Sequence, residues 1–310
     1  MLLAAPMPIY MGYASNTYTN IGEANNRGIE MNLEWRDKTE SGFEYNVGVN
    51  MSTIRNRMTK LNGGTPISDG PFRNGSMYLT YTNEGMPIGA FWGYKTDGLI
   101  QTQEQLNAVK RADFQPNAEL GDVLFVDTNG DGKLDSSDRC MIGNPIPDII
   151  YGINMGMAWK GFDLNLQFGG TIGNQIFNAM RYYTYFPNDI TNKDRALMNY
   201  WTPNNTNTDI PRLTATDVND NDRFSDMYVE NGTYFRLRNA QLGYTLPASL
   251  TQRIKLQKVR FYVSGQNLFT ISSYSGMDPE VGQSSSLSRG IDYGIYPQNI
   301  SFTGGINVTF

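Results

Sequence analysis

The chain has 310 residues, a formal net charge of −5 and a mean hydropathy of −0.45. No run of about 18 apolar residues is present, which excludes a helical membrane protein, and the lack of a basic stripe argues against nucleic acid as a partner. Zero histidines and one cysteine, Cys140, exclude nucleophile–histidine triads and an internal disulfide framework.

Seven segments alternate apolar and polar residues, which is the pattern of a half-buried strand. In chain order they are 29–36, 43–51, 151–159, 162–168, 233–246, 259–264 and 300–310, and a stub near Pro8–Tyr10 would make an eighth strand. Within 233–246 the apolar phase changes, which predicts a β-bulge near Asn239. The last segment ends in Phe310, as the closing strand of an outer-membrane barrel commonly does.

The connections between these segments are of two kinds, short and long. Short links, 36–42, 160–161 and 247–257, alternate with long stretches, 56–148, 178–231 and 270–298. Strict alternation puts the short turns at one end of the strands and the long loops at the other, as in outer-membrane barrels. A soluble β-sandwich also alternates apolar and polar residues, but its loops need not sort in this way. The predicted fold is therefore all-β, the antiparallel wall of a transmembrane β-barrel with Phe310 at the periplasmic rim.

The first residues do not form an export signal. Met1–Pro6 is too short for a signal peptide and has no basic residues. A barrel with so much of its chain in loops is expected to be large, such as a plugged barrel with about 22 strands. We therefore expect the chain to be a carboxy-terminal part of a longer protein, without its signal peptide and plug.

The long loop 56–148 contains a segment, 127–138, that fits the calcium-loop pattern with Asp in place of Glu at its last position. The predicted oxygen ligands are Asp127, Asn129, Asp131, the backbone carbonyl of Lys133, Asp135 and Asp138. Gly132 permits the sharp turn, and an all-oxygen set suits Ca²⁺. The alternative is a turn rich in Asp, Asn and Gly without an ion. The flanking residues do not form paired helices, so a structural calcium ion is expected, not a sensor.

A group of aromatic residues in the second long loop allows two interpretations. Tyr182, Tyr183, Tyr185 and Phe186, together with Trp201, have the chemistry to stack on sugar rings, or they pack the loop. Pairs of Asp and Glu that serve glycoside hydrolysis elsewhere carry little weight here, because 30 acidic residues make chance proximity common. No catalytic residue is predicted.

Several motifs resemble the SusC/RagA family of TonB-linked outer-membrane proteins, in the same order along nearly the whole chain. They are 20–30, 125–135, 142–148 with Tyr151-Gly152, 159–164, Asn199-Tyr200-Trp201, 234–239 and 265–269. The resemblance implies a parent protein with a 22-stranded barrel and an amino-terminal plug in the Gram-negative outer membrane. The parent would import glycans or peptides, powered by the TonB complex through the missing amino-terminal part and capped by a SusD-like surface lipoprotein.

By that resemblance this chain supplies about seven or eight wall strands, the extracellular loops and the terminal strand, in contact with outer-membrane lipid and substrate. It would not be an enzyme, and nucleic acid would not be a partner. The alternative from another class is a secreted, calcium-stabilised β-sandwich that binds carbohydrate.

Overall fold

The structure, a computed structural model, describes residues 2–5, 17–20, 22–61, 66–186, 192–282 and 285–310. Its strands in chain order are β1 (Leu2–Ala5), β2 (Thr17–Asn20), β3 (Gly22–Arg27), β4 (Glu30–Lys38), β5 (Glu44–Thr53), β6 (Arg55–Leu61), β7 (Ile67–Phe72), β8 (Met77–Thr82), β9 (Ala90–Gly93), β10 (Thr96–Leu99), β11 (Val123–Phe125), β12 (Cys140–Gly143), β13 (Ile149–Trp159), β14 (Phe162–Ile172), β15 (Gln175–Asn178), β16 (Val229–Asn231), β17 (Tyr234–Thr245), β18 (Lys258–Ser272), β19 (Ile291–Asp292) and β20 (Ser301–Thr309). The α-helices are α1 (Gln103–Arg111), α2 (Ala179–Tyr185) and α3 (Ala248–Thr251), and short 3-10 helices span Ser136–Asp138, Arg195–Asn199, Asp226–Tyr228 and Gln252–Ile254.

Seven strands form one antiparallel sheet in the order β20-β18-β17-β14-β13-β5-β4, which we call the wall. These strands coincide with the seven segments predicted from the sequence, so that prediction is confirmed. Strands β13 and β14 pair without interruption from Ile149↔Ile172 to Trp159↔Phe162. The predicted stub near Pro8–Tyr10 lies outside the described residues.

The wall has one apolar and one polar face. On the apolar face, Trp35, Ile271 and Phe302 have 63%, 63% and 78% of their surface exposed. The polar face carries the side chains at the alternate positions, among them Asn32, Asn46, Asn50, Asn154, Asn165, Gln167, Gln241, Ser264 and Thr303. In a sandwich the apolar face would be covered by a second sheet, and the described residues provide none. The predicted sandwich alternative is therefore wrong.

The short connections lie at one end of the wall and the long ones at the other. Lys160 and Gly161 have φ of 47° and 87° and close the β13–β14 hairpin, as expected for a two-residue turn of type I′. The predicted bulge is present, because the pairing of β14 with β17 shifts between Gln167 and Phe168, which lie opposite Asn239 and Leu237. Arg238 is the extra residue.

Apart from β6, which pairs with β3, the three long connections, 54–148, 173–233 and 273–300, fold into a layer of their own, which we call the loop layer. It contains sheets with the orders β12-β9-β8-β7, β10-β11 and β16-β15-β19. Phe177 of the second connection pairs with Ile291 of the third in parallel. The sequence predicts these connections only as loops, because the strands of these sheets are two to six residues long and lack sustained alternation.

The main apolar core lies in the loop layer and not in the wall. Phe72, Phe91, Phe177, Tyr228 and Ile291 come from all three connections, and each is at most 2% exposed. A second cluster contains Leu99, Phe114, Val123, Phe125 and Trp201. Buried aromatic side chains contribute large apolar areas, so the connections stabilise one another. Among the described residues, no helix is both long and apolar enough to cross a membrane.

Candidate functional site

The polar face of the wall is cross-linked by a bidentate ion pair. The Arg260 guanidinium of β18 donates to Asp163 of β14 through Nε to Oδ1, 2.9 Å, and through Nη2 to Oδ2, 2.5 Å. The Nη2 atom also donates to Oε1 of Gln241 on the intervening strand β17, 3.1 Å. Two parallel bonds to one carboxylate fix the orientation of both side chains. These bonds therefore connect three neighbouring strands of the wall through their side chains.

A second arginine attaches the loop layer to the wall. Arg236 of β17 is 2% exposed, and its Nη2 donates to Asp278 Oδ1 at 2.6 Å. Its Nη1 donates to Glu280 Oε2 at 2.9 Å and its Nε donates to Thr270 Oγ1 at 2.9 Å. All three donor nitrogens therefore have partners. A buried charge needs this degree of compensation, and the carboxylates come from the third long connection.

The bulge adds another cation to this network. Arg238, the extra residue of β17, donates through Nη2 to Glu280 Oε1 at 3.2 Å and to the Tyr234 hydroxyl at 3.1 Å. A Cβ atom at Gly169 would lie 2.7 Å from Arg238 Nε. The absence of a side chain at Gly169 therefore leaves room for the guanidinium against the wall.

Asp278 is held as a carboxylate. Burial disfavours its charge, but the hydrogen bonds from the backbone N–H groups of Gln298 and Glu280, and from Arg236, outweigh burial and lower the pKa of Asp278. Opposite charge and N–H donors both favour the ionised form. The contact between the third connection and the wall is thus ionic near neutral pH.

A hollow of about 520 Å³ lies where the polar side of the wall meets the loop layer. Its lining consists of Ala24, Asn26, Ile54, Asn56, Ile88, Ile146, Pro147, Ile150, Ser286 and Arg289. Asn56 Nδ2 donates to Asn26 Oδ1 at 2.5 Å. Arg289 is exposed, and among the described residues no carboxylate pairs with it. Apolar walls with a few polar groups are typical of sites for organic ligands.

No pattern in the sequence predicts this hollow. Its lining residues come from distant stretches of the chain, and Arg289 follows no motif. Strand pairing in the wall and in the loop layer brings these residues together. A single sequence does not reveal that pairing.

The predicted calcium loop forms a tight turn in the first connection. Gly130 and Gly132 have φ of 78° and 79°, in the left-handed region that favours glycine. Asp127 accepts the backbone N–H groups of Gly130 at 2.7 Å and of Gly132 at 2.9 Å. A carboxylate offers about four lone-pair positions, so Asp127 has further acceptor capacity.

The next two predicted ligands bend into the same turn. Asn129 Oδ1 accepts the N–H of Asp131 at 2.9 Å, and Asp131 Oδ1 accepts the N–H of Lys133 at 2.8 Å. The backbone carbonyl of Lys133 is a predicted ligand, and the N–H of the same residue is therefore already hydrogen-bonded within the loop. Among the described residues, no three acidic, histidine or cysteine side chains are grouped closely enough to share a metal ion.

The end of the loop is closed by its own hydrogen bonds. Asp138 is fully buried and accepts the N–H groups of Thr128 and Asp135, both at 3.0 Å. Asp135 accepts the N–H of Ser137 at 2.7 Å, and this bond lowers the pKa of Asp135. The six predicted ligands thus lie in one turn, with Asp138 at its base and not on its rim.

The aromatic group in the second connection packs the loop layer. Tyr182, Phe186 and Trp201 are at most 8% exposed. Trp201 Nε1 donates to Gln101 Oε1 at 2.8 Å, and burial raises the pKa of Tyr182. Faces that are buried in this way cannot stack on a sugar ring, so the packing interpretation is the correct one for these three residues.

Comparisons with known proteins agree with this architecture. TonB-dependent receptor P3 of Formosa agariphila is 36% identical over 322 aligned positions, which cover all of this chain and 31% of that protein. TonB-dependent receptor SusC of Bacteroides thetaiotaomicron is 26% identical over 311 positions, covering all of this chain and 29% of SusC. The solved structure of the RagAB peptide transporter matches with a TM-score of 0.76 at 25% identity, over all of this chain and 32% of that one. No protein-family model matches the chain.

The fold and the matches define the class: the chain is part of the β-barrel of a TonB-dependent receptor in the outer membrane. Within that class it is similar to SusC and RagAB, so the resemblance to the SusC/RagA family is confirmed. The chain spans about a third of the length of these relatives. The relatives are named as receptors and transporters, and none of these names denotes an enzyme.

Proposed function

We propose that the full-length receptor imports glycans or peptides across the outer membrane together with a SusD-like surface lipoprotein. The main support for this proposal is that the wall has two different faces. Its exposed apolar face suits lipid, and its polar face suits an aqueous interior. The similarity to the RagAB peptide transporter supports peptide cargo, and the similarity to SusC supports the same type of receptor. The TonB complex would act through a part of the receptor outside this chain.

Within that receptor, the hollow between the wall and the loop layer is our candidate for contact with the cargo. It lies at the end of the wall that carries the long connections, which are extracellular in such barrels. The guanidinium of Arg289, which has no carboxylate partner among the described residues, suits a peptide carboxylate or a uronic acid. Ile54, Ile88 and Ile150 suit apolar groups beside it.

Uptake by cells tests the transport proposal. We expect deletion of the receptor gene, or loss of TonB, to abolish uptake of a fluorescent peptide or oligosaccharide mixture. In the full-length receptor, Arg289→Ala should reduce uptake of acidic cargo severalfold, whereas Arg111→Ala on the exposed face of α1 should not. Unchanged uptake after gene deletion contradicts the proposal. Purification through a tag on the receptor should recover the lipoprotein, and recovery of the receptor alone contradicts that partner.

We also propose that residues 127–138 bind a structural Ca²⁺. The support is the turn itself: Gly130 and Gly132 allow it, and side-chain oxygens of Asp127, Asn129 and Asp131 are drawn into it. A bound ion would stabilise the first connection by mass action.

Chelation tests the calcium proposal. We expect EDTA to speed proteolysis within 96–148 in the full-length receptor, and added Ca²⁺ to reverse this effect. Asp131→Ala should remove the response to EDTA, while Asp97→Ala, an exposed carboxylate outside the loop, should keep it. If neither EDTA nor Asp131→Ala changes proteolysis, the hydrogen bonds alone hold the turn and no ion is bound.

A further inference from the structure

Three arginines lie together on a two-stranded extension of the wall. Strand β3 pairs with β6, and Arg27 lies directly opposite Arg55, with Asn25 opposite Arg57. Residues at alternate positions of a strand share one face, so Arg27, Arg55 and Arg57 share a face. The other face of this extension packs inward, because Met58 is fully buried in the loop layer.

These charges have no partners among the described residues. None of the three guanidinium groups makes an ion pair or a hydrogen bond there. Glu23 lies on the same face, directly opposite Lys60, and makes no ion pair with the three arginines. Like charges directly opposite each other in a sheet are destabilising. The Arg27–Arg55 pair therefore has a cost that an anion would offset.

The position of the three arginines relative to the membrane follows from the strand register. The pairing of β4 with β5 and of β3 with β6 keeps the same register through Gly28 and Ile54. Arg27 and Arg55 thus lie on the same face as Ile29 and Met31, which are 70% and 45% exposed on the lipid side. At about 3.3 Å per residue, Arg27 lies roughly 7 Å beyond Ile29.

We propose that Arg27, Arg55 and Arg57 bind the phosphate groups of phosphorylated glycolipid in the outer leaflet. The apolar band ends at Ile29, and the arginines follow at the depth where headgroups begin. A guanidinium fork matches phosphate geometry with two parallel hydrogen bonds. The proposal rests on the outer-membrane placement of the wall with its long connections outside, and it goes beyond transport.

Lipid binding to the detergent-solubilised full-length receptor tests the proposal. Native mass spectrometry would measure binding of phosphorylated lipid A, of the same lipid without phosphate, and of inorganic phosphate. We expect the triple variant Arg27→Gln/Arg55→Gln/Arg57→Gln to bind phosphorylated lipid A on the order of 100-fold more weakly than the wild type. Dephosphorylated lipid A should bind the wild type as weakly as phosphorylated lipid A binds the triple variant.

The matched control removes three cations elsewhere, as Arg111→Gln/Arg253→Gln/Lys255→Gln, and should bind like the wild type. Equal binding by wild type and triple variant, or by phosphorylated and dephosphorylated lipid, overturns the proposal. Binding of inorganic phosphate without lipid also overturns it. If the triple variant fails to fold, two other comparisons test the proposal. One compares lipid binding by Arg57→Gln with that by the wild type, and the other compares binding of phosphorylated and dephosphorylated lipid A by the wild type. Cargo uptake is measured separately, so failure of one proposal leaves the other intact.

Discussion

Single residues attach the loop layer to the wall. Arg236 has all its donor nitrogens engaged at 2% exposure, and two of its partners are carboxylates of the third connection. A buried ion pair adds little over an apolar pair of the same shape, but removing one partner is costly because the other charge stays buried. The network therefore acts as a specific attachment point more than as a general source of stability.

Asp278→Asn is expected to loosen this attachment. The change removes one of the charges that Arg236 needs, at a cost of about 2 kcal/mol. Proteolysis within 273–300 should then be about 30-fold faster, since cleavage follows the population of the open form. Asp97→Asn, an exposed carboxylate in β10, is the control and should cleave like the wild type. Equal rates for Asp278→Asn and wild type would show that apolar contacts hold the connection.

The same contact is expected to respond to acid. The pKa of Asp278 is lowered in the folded protein, so its contribution is complete above the unfolded value of about 3.9 and is lost as the pH falls through the folded value. Amide hydrogen exchange in 273–300, corrected for intrinsic rates, should increase below about pH 4 in the wild type. In Asp278→Asn this extra acid response should disappear. An acid response of the same size in both proteins would show that a titratable group other than Asp278 causes it.

At the scale of elements, the β13–β14 hairpin depends on its turn. Gly161 has a φ of 87°, and a Cβ atom there would lie 2.8 Å from the Thr245 carbonyl oxygen. Gly161→Val should therefore lower the thermal unfolding midpoint of the full-length receptor, with a loss above about 1 kcal/mol. Lys160→Asn is the matched control, because Asn tolerates the left-handed region. A midpoint unchanged by Gly161→Val would mean that the turn has another shape.

The strands of the wall could be predicted from sequence, because a lipid-facing and a water-facing side force strict alternation, as from Leu164 to Phe168. The bulge at Arg238 also left a local signal in the change of apolar phase. The loop layer could not be predicted. Its pairings, such as Phe177 with Ile291, join residues far apart in sequence through strands too short to show a period. Arg289 likewise becomes notable only once the fold places it in the hollow.

At the scale of the whole molecule, the chain has two parts with opposite packing. The wall exposes its apolar face, while the loop layer buries residues such as Phe91 and Ile291 completely. The wall therefore depends on lipid and on neighbouring strands, and the loop layer depends on its own core. This division explains why the outer end of a barrel can hold a defined shape above strands that have no core themselves.

The wall is expected to face lipid on its apolar side and water on its polar side. Cysteine labelling of the full-length receptor in isolated outer membranes tests this most directly, in a Cys140→Ser background. Single cysteines would replace Leu33, Val263 and Phe302 on the apolar face, and Asn32, Ser264 and Thr303 on the polar face. Each variant would be treated with a lipophilic maleimide and with a charged, water-soluble one.

We predict that cysteines on the apolar face react with the lipophilic reagent and resist the water-soluble one. Cysteines on the polar face should show the opposite preference wherever water reaches the barrel interior. Labelling of Leu33→Cys, Val263→Cys and Phe302→Cys by the water-soluble reagent, or protection of all three from both reagents, would contradict a lipid-facing wall.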